Sequence, residues 1–181
     1  MRRSIPMMIV TAALVLGPIG IASVFGQQLL FTHGAVEGGQ VTTSDVGGAF
    51  KESAGFSTVP NSTMTMVLAP GDSDLFVVEF SAGCAVQGDR SDLFLVKATV
   101  SRPGLITTFT DLEPNSSFPV FCSGDSGSQS NHKSWAIRLS NNGASPATYN
   151  FFIRVRVLDQ GTDDDVTGFL NNQTVRLTRY N

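Results

Sequence analysis

The sequence predicts an all-β protein: an antiparallel β-sandwich, jelly-roll-like, with about eight strands and one disulfide. From Ser62 onward, short segments alternate apolar and polar residues at the period of a strand. Turn-forming residues separate these segments, and no stretch shows helical periodicity of useful length. Thirteen Phe and a charged fraction of only 15% also suit half-buried strands. Strand order is not fixed by these observations.

The predicted strands follow one another at short, even spacing. Turns are expected at Pro70-Gly71-Asp72, Arg102-Pro103-Gly104 and Asn141-Asn142-Gly143, the last as a hairpin connection. The aspartates at 72, 74, 89 and 92 are assigned to turns and strand starts. The predicted strand ranges are 63–69, 74–82, 92–101, 105–109, 118–122, 132–140, 149–158 and 174–180.

Alternation within four of these strands predicts which side faces the core. The strand 74–82 has a second face that is only partly polar, so it is predicted to be central. The predicted core residues are Phe76, Val78, Phe80 and Ala82; Phe94, Val96, Ala98 and Val100; Trp135, Ile137 and Leu139; and Phe151, Ile153, Val155 and Val157.

Residues 1–26 have the layout of a secretory signal peptide. Arg2 and Arg3 precede an apolar run from Met7 to about Ile21, and small residues such as Gly26 follow. The run is shorter than the roughly 20 residues that span a bilayer, which favours cleavage over an uncleaved anchor. We therefore expect a secreted, periplasmic or cell-surface protein with no membrane contact after cleavage. Residues 27–60, rich in Gly, Ser and Thr, are predicted to be a leader or irregular first strands, and residues 61–181 the β-sandwich domain.

Two cysteines, Cys84 and Cys122, are present. In an exported chain the default expectation for such a pair is a disulfide. Metal ligation and a reactive thiol are the alternatives, but the two residues are far apart and lack the CxxC spacing of zinc sites.

The outward phase of three late strands carries Arg138, Arg154, Arg156 and Arg176. If these strands are neighbours, the arginines form a basic face suited to an anionic partner, such as an acidic or sulfated polysaccharide. The alternative is a solvated sheet face with scattered cross-strand partners. Nucleic acid is not expected as a partner, because the formal net charge is −3 and phosphate binding needs a basic footprint.

A Gly-containing loop carries four aspartates, Asp159, Asp163, Asp164 and Asp165, and is a weak candidate for calcium. Their spacing matches no EF-hand, and a solvated acidic turn is the alternative reading. We expect no tightly bound metal and no cofactor.

Catalytic patterns are scarce. The segment Cys122–Gly127 looks like the nucleophile segment of trypsin-like serine proteases, but the continuation differs and His33 lacks that family's context. Ser126 is therefore not expected to be a nucleophile. Glu79 and Glu113 show no pairing for glycoside hydrolysis, and Glu79 is expected to face Lys97 on a neighbouring strand.

The segment Phe80-Ser81-Ala82-Gly83-Cys84-Ala85-Val86 and the later Phe121-Cys122-Ser123 resemble a group of uncharacterised bacterial exported β-sandwich proteins. These proteins share a Phe-Ser-Ala-x-Cys-Ala-Val strand and a later Phe-Cys followed by Ser or Thr. The resemblance covers roughly residues 60–180 and implies the fold and the disulfide, but no activity. Our first hypothesis is a secreted, non-catalytic module that binds a glycan or a surface protein. The alternatives are a structural or packing domain without a ligand, and a hydrolase with an unrecognised site.

Overall fold

The structure, a computed structural model, describes residues 36–44, 48–103, 109–116, 119–124, 127–161 and 165–181, the first range by its backbone alone. Eleven strands run through these residues. No helix in the described part of the chain is long and apolar enough to cross a membrane. The predicted signal segment and most of the predicted strand 105–109 lie outside the described residues. The strands are β1 (Val36–Ser44), β2 (Gly48–Lys51), β3 (Ser57–Thr58), β4 (Met64–Leu68), β5 (Ser73–Gln87), β6 (Leu93–Ser101), β7 (Thr110–Asp111), β8 (Val120–Ser123), β9 (Gln129–Ser140), β10 (Ala147–Leu158) and β11 (Thr167–Tyr180).

The strands form two antiparallel sheets with four positions each. Sheet A has the order β1-β11-β5-β9, and β2 continues the β1 position by pairing with the other end of β11. Sheet B has the order β3-β10-β6-β7. In addition, β4 pairs with β10 at the same edge as β3, and β8 pairs with β6 at the same edge as β7. The chain passes between the sheets in the alternating order of a jelly roll. The predicted fold class is confirmed, and the described residues form eleven strands where the sequence predicted about eight.

The space between the sheets is filled by the inward face of each strand. The predicted core residues on β5, β6 and β10 are buried, and Trp135 on β9 is 2% exposed. Ile137 and Leu139 are partly buried and pack against this core. β5 lies between β11 and β9, which confirms that it is central. Aromatic contacts join the sheets, since the ring centroids of Phe76 and Phe151 lie 5.3 Å apart.

The disulfide between Cys84 and Cys122 joins β5 of sheet A to β8 of sheet B. Their Cα atoms are 6.2 Å apart, and both residues are buried. Two further ties close the same side of the sandwich. The Asn131 amide on β9 donates to the Phe121 carbonyl at 2.7 Å, and Glu113 exchanges two backbone hydrogen bonds with Ala136.

Three strands among the described residues before position 61 lie at the edges of the two sheets. β1 and β2 pair with β11, and β3 pairs with β10. β1 and β2 thus form one edge position of sheet A, and β3 forms part of one edge of sheet B.

Candidate functional site

The four arginines of the predicted basic face lie on two different faces. Arg154 and Arg156 are on β10, an inner strand of sheet B, whereas Arg138 and Arg176 are on β9 and β11 of sheet A. The three late strands are not neighbours, because jelly-roll connections place β10 in the opposite sheet. The structure brings together only Arg154 and Arg156, which project from the outer face of sheet B.

A third cation joins this pair. Lys97 on β6 stands directly opposite Arg154 in the β6–β10 ladder. Directly opposed residues share one face of a sheet with their Cβ atoms roughly 5 Å apart. Lys97, Arg154 and Arg156 therefore form one group, called here the sheet B cation cluster.

The two arginines of the cluster are held by backbone carbonyls of the segment that follows β2. Arg156 Nε donates to the Ser53 carbonyl at 2.9 Å, and Arg154 Nη2 donates to the Phe56 carbonyl. Extended side chains on β10 reach this segment because it crosses the outer face of sheet B. Each guanidinium is thus fixed in position by a neutral acceptor.

Aromatic rings complete the surroundings of Arg154. Its guanidinium carbon lies 4.3 Å from the centroid of the Phe109 ring, and Phe109 packs edge-to-face against Phe152 at 5.4 Å. A cation over a ring face is attracted by the ring quadrupole without losing its charge. Arg154 Nε is buried and has no hydrogen-bond partner among the residues that the structure describes.

The cluster keeps a net positive charge. Lys97 Nζ is 2.8 Å from Asp111 Oδ1 and lies 4.4 Å from the centroid of the Phe56 ring, so this cation is neutralised by a carboxylate. Arg154 and Arg156 have no carboxylate partner within the described ranges. Carbonyls and rings orient a guanidinium but do not cancel its charge, so both partly buried arginines stay positively charged.

On the outer face of sheet A, the arginines have different partners from those on sheet B. Arg176 Nη1 lies 3.9 Å from Glu79 Oε2, and Arg138 makes a long 3.4 Å hydrogen bond to the Ser73 carbonyl. The expected pairing of Glu79 with Lys97 is wrong, because β5 and β6 belong to different sheets. Glu79 instead partly neutralises Arg176.

The acidic loop brings together no metal-binding group among the described residues. Asp159 Oδ1 accepts a hydrogen bond from the Gly161 backbone at 2.7 Å, and Asp165 lies 3.2 Å from Lys51 Nζ. Asp163 and Asp164 lie outside the described residues, as do Ser126 and His33. No group of three His, Cys, Asp or Glu side chains that could hold a metal occurs in the described part of the chain.

A Ser–His pair that the sequence did not indicate lies on the outer face of sheet A. Ser81 Oγ and His132 Nδ1 are 2.8 Å apart, because these residues are directly opposed on β5 and β9. Within the described ranges no carboxylate bonds to His132, so the third member of a catalytic triad is not present there. Only the strand register, which sequence patterns leave open, could have revealed this pair.

Comparisons with known proteins found neither a matching family model nor a matching curated protein. Some solved structures share part of the chain path. The VP2 subviral particle of infectious bursal disease virus has a TM-score of 0.48 and 11% identity, over 80% of this chain and 33% of that chain. T=1 particles derived from the same virus have a TM-score of 0.47 and 13% identity, over 93% of this chain and 36% of that chain. The present chain thus matches only about a third of those longer proteins, and likenesses of this size carry no argument about function.

Proposed function

We propose that this protein is an exported, non-catalytic β-sandwich module that binds an anionic polysaccharide through the outer face of sheet B. One observation carries the proposal: Arg154 and Arg156 are held side by side by neutral carbonyl groups and keep their charge. The two residues are two positions apart on one strand, so they project from the same face roughly 7 Å apart.

Guanidinium groups fixed in advance suit the oxygens of carboxylate and sulfate groups. The planar fork can form two parallel hydrogen bonds with such an anion, and little side-chain entropy is lost when the group is already held. Phe109, a residue that is 42% exposed beside Arg154, offers an apolar surface on which a sugar ring can lie. Cation and ring together match a charged saccharide better than either would alone.

The proposed export rests on the N-terminal pattern and on the disulfide. Residues 1–26 have the order of a secretory signal, and disulfides persist in oxidising compartments. The resemblance of the Phe80–Val86 strand to exported bacterial proteins agrees with this. The negative formal charge of −3 implies weak long-range attraction, so binding should be modest and should fall with added salt.

An anionic-glycan array tests the proposal with matched arginine variants. We expect wild type to bind sulfated or uronate-rich glycans, and Arg156→Ala to weaken binding about tenfold or more, because a charge-assisted contact contributes roughly 1.5–3 kcal/mol. Arg138→Ala is the control, since it removes one arginine from the opposite sheet. Equal loss in both variants would show that the sheet B arginines are not the specific site, and no anionic ligand for wild type would favour a structural domain without a ligand.

A further inference from the structure

Lys133 is an inward-facing lysine on the edge strand of sheet A. It stands directly opposite Phe80 in the β5–β9 ladder, and Phe80 is fully buried in the core. Opposed residues project to the same face, so the Lys133 stem enters the space between the sheets while the residue stays partly exposed. Its neighbours on that face of β9 are Asn131 and Trp135.

Lys133 lies between the two ties that fasten β9 to sheet B. On one side, Asn131 is bonded to the Phe121 carbonyl, and on the other Ala136 is bonded to Glu113. The Phe121 ring packs on Phe80 with centroids 5.3 Å apart. The Lys133 stem therefore projects toward the core on the face that carries the packed rings of Phe80 and Phe121.

Within the described part of the chain, no carboxylate forms an ion pair with this lysine. The inward-facing residues of the elements around it are uncharged: Val78, Phe80 and Ala82 on β5, Phe121 and the disulfide-bonded Cys122 on β8, and Asn131 and Trp135 on β9. Glu113, whose backbone pairs with Ala136 on β9, uses its carboxylate to accept the Asn115 backbone N–H at 2.7 Å. Among the described residues, no hydrogen bond or ion pair engages the Lys133 ammonium.

The other two lysines of the chain have carboxylate partners. Lys51 lies 3.2 Å from Asp165, and Lys97 lies 2.8 Å from Asp111. A nearby carboxylate favours the charged ammonium, whereas burial disfavours it. Burial accordingly lowers the pKa of Lys133 from the usual value for lysine. A larger share of Lys133 is then unprotonated near neutral pH, which is the nucleophilic form of the amine.

We propose that Lys133 is a nucleophilic amine site that forms an imine with a small uncharged aldehyde. The amine lone pair attacks the carbonyl carbon, a C=N bond replaces the C=O bond, and the carbonyl oxygen leaves as water with the two amine protons. No oxidant or reductant is consumed. An uncharged aldehyde fits because the described inward-facing neighbours of Lys133 on β5, β8 and β9 are uncharged and would not pair with a charged substituent.

Competitive reductive labelling tests the site, with Lys51 as the internal control. The full chain is treated with limiting glycolaldehyde and cyanoborohydride, which traps imines as stable amines, and the three lysines are compared by peptide mapping. At pH 7 we expect Lys133 to be labelled severalfold faster than Lys51, although the Lys51 side chain is 69% exposed. At a pH above the usual lysine pKa all three amines are neutral, so solvent access determines the labelling rate. Lys51 should then be labelled faster than Lys133.

Two variants separate nucleophilicity from simple access. Lys133→Arg should remove the preferred label and leave labelling of Lys51 and Lys97 unchanged. Asn131→Asp places a carboxylate two residues away on the same face and should slow labelling of Lys133 at pH 7 but not at high pH. Faster labelling of Lys51 than of Lys133 at both pH values in wild type would overturn the proposal, whether or not the Asn131 variant folds.

Discussion

Arg179 on the last strand binds Asp74 on β5, and both residues point into the same end of the core. Arg179 Nε and Nη2 lie 2.9 Å and 2.5 Å from Asp74 Oδ2, and Nη2 also reaches Asp72 Oδ2 at 3.1 Å. The Asp74 side chain is only 6% exposed and that of Arg179 20%. A largely buried ion pair thus links β11 to β5 at this end of the sandwich.

Breaking this pair is expected to destabilise the fold. Arg179→Met leaves the Asp74 carboxylate buried without its partner, a change that costs roughly 3–5 kcal/mol when both groups are fully buried. We expect about 2–4 kcal/mol here, because Arg179 is partly exposed. Urea unfolding measures the difference. Arg138→Ala, at an exposed site, is the control and should change the free energy of unfolding by less than about 0.5 kcal/mol. Equal losses of stability in Arg179→Met and Arg138→Ala would contradict this account.

Removing the disulfide should lower stability without changing the fold. The Cys84–Cys122 bond closes a loop with a sequence separation of 38, for which chain entropy gives about 4 kcal/mol as an upper figure. The double variant Cys84→Ala/Cys122→Ala is expected to unfold at lower urea concentration than wild type and to lose the shift that a reducing agent produces in wild type. An unchanged midpoint would show that the bond contributes nothing to stability.

Gly168 on β11 is a position where a side chain does not fit. A Cβ atom there would lie 2.0 Å from a ring carbon of Phe94 and 2.9 Å from Val157, both of which are 0% exposed. Gly168→Ala is therefore expected to cost about 1–3 kcal/mol through overpacking. Gly55→Ala is the matched control, because nothing lies within 4 Å of its added Cβ. Thermal unfolding of both variants decides the point, and equal melting temperatures would count against the packing described here.

The inward faces could be read from the sequence because the two-residue period of a strand is local. Phe76, Val78 and Phe80 alternate with less apolar neighbours, and that alternation alone assigns them to the core. Which strands become neighbours depends on long-range pairing, and here β10 crosses to sheet B while β9 and β11 belong to sheet A. The prediction of one arginine face depended on that pairing, so Arg138 and Arg176 were grouped with residues of the opposite sheet.

Besides strand pairing, the burial of polar residues cannot be predicted from local sequence patterns. Asp92 was assigned to a strand start, yet its side chain is fully buried. Its carboxylate accepts backbone hydrogen bonds from Asp89 at 2.6 Å and from Gln160 at 2.9 Å. The second donor comes from a distant loop, so nothing near Asp92 in the sequence indicates it. The carbonyl groups of Ser53 and Phe56 that orient the two arginines are hidden for the same reason.

The most direct test of the central claim is to locate where an anionic saccharide contacts the protein. Backbone amide chemical shifts are recorded while a sulfated oligosaccharide is titrated into the full chain at low salt. We expect the resonances of Lys97, Phe109, Arg154 and Arg156 on the outer face of sheet B to move together and to recover when salt is raised. Shifts confined to Arg138 and Arg176 on sheet A, or no saturable shifts at all, would contradict the account.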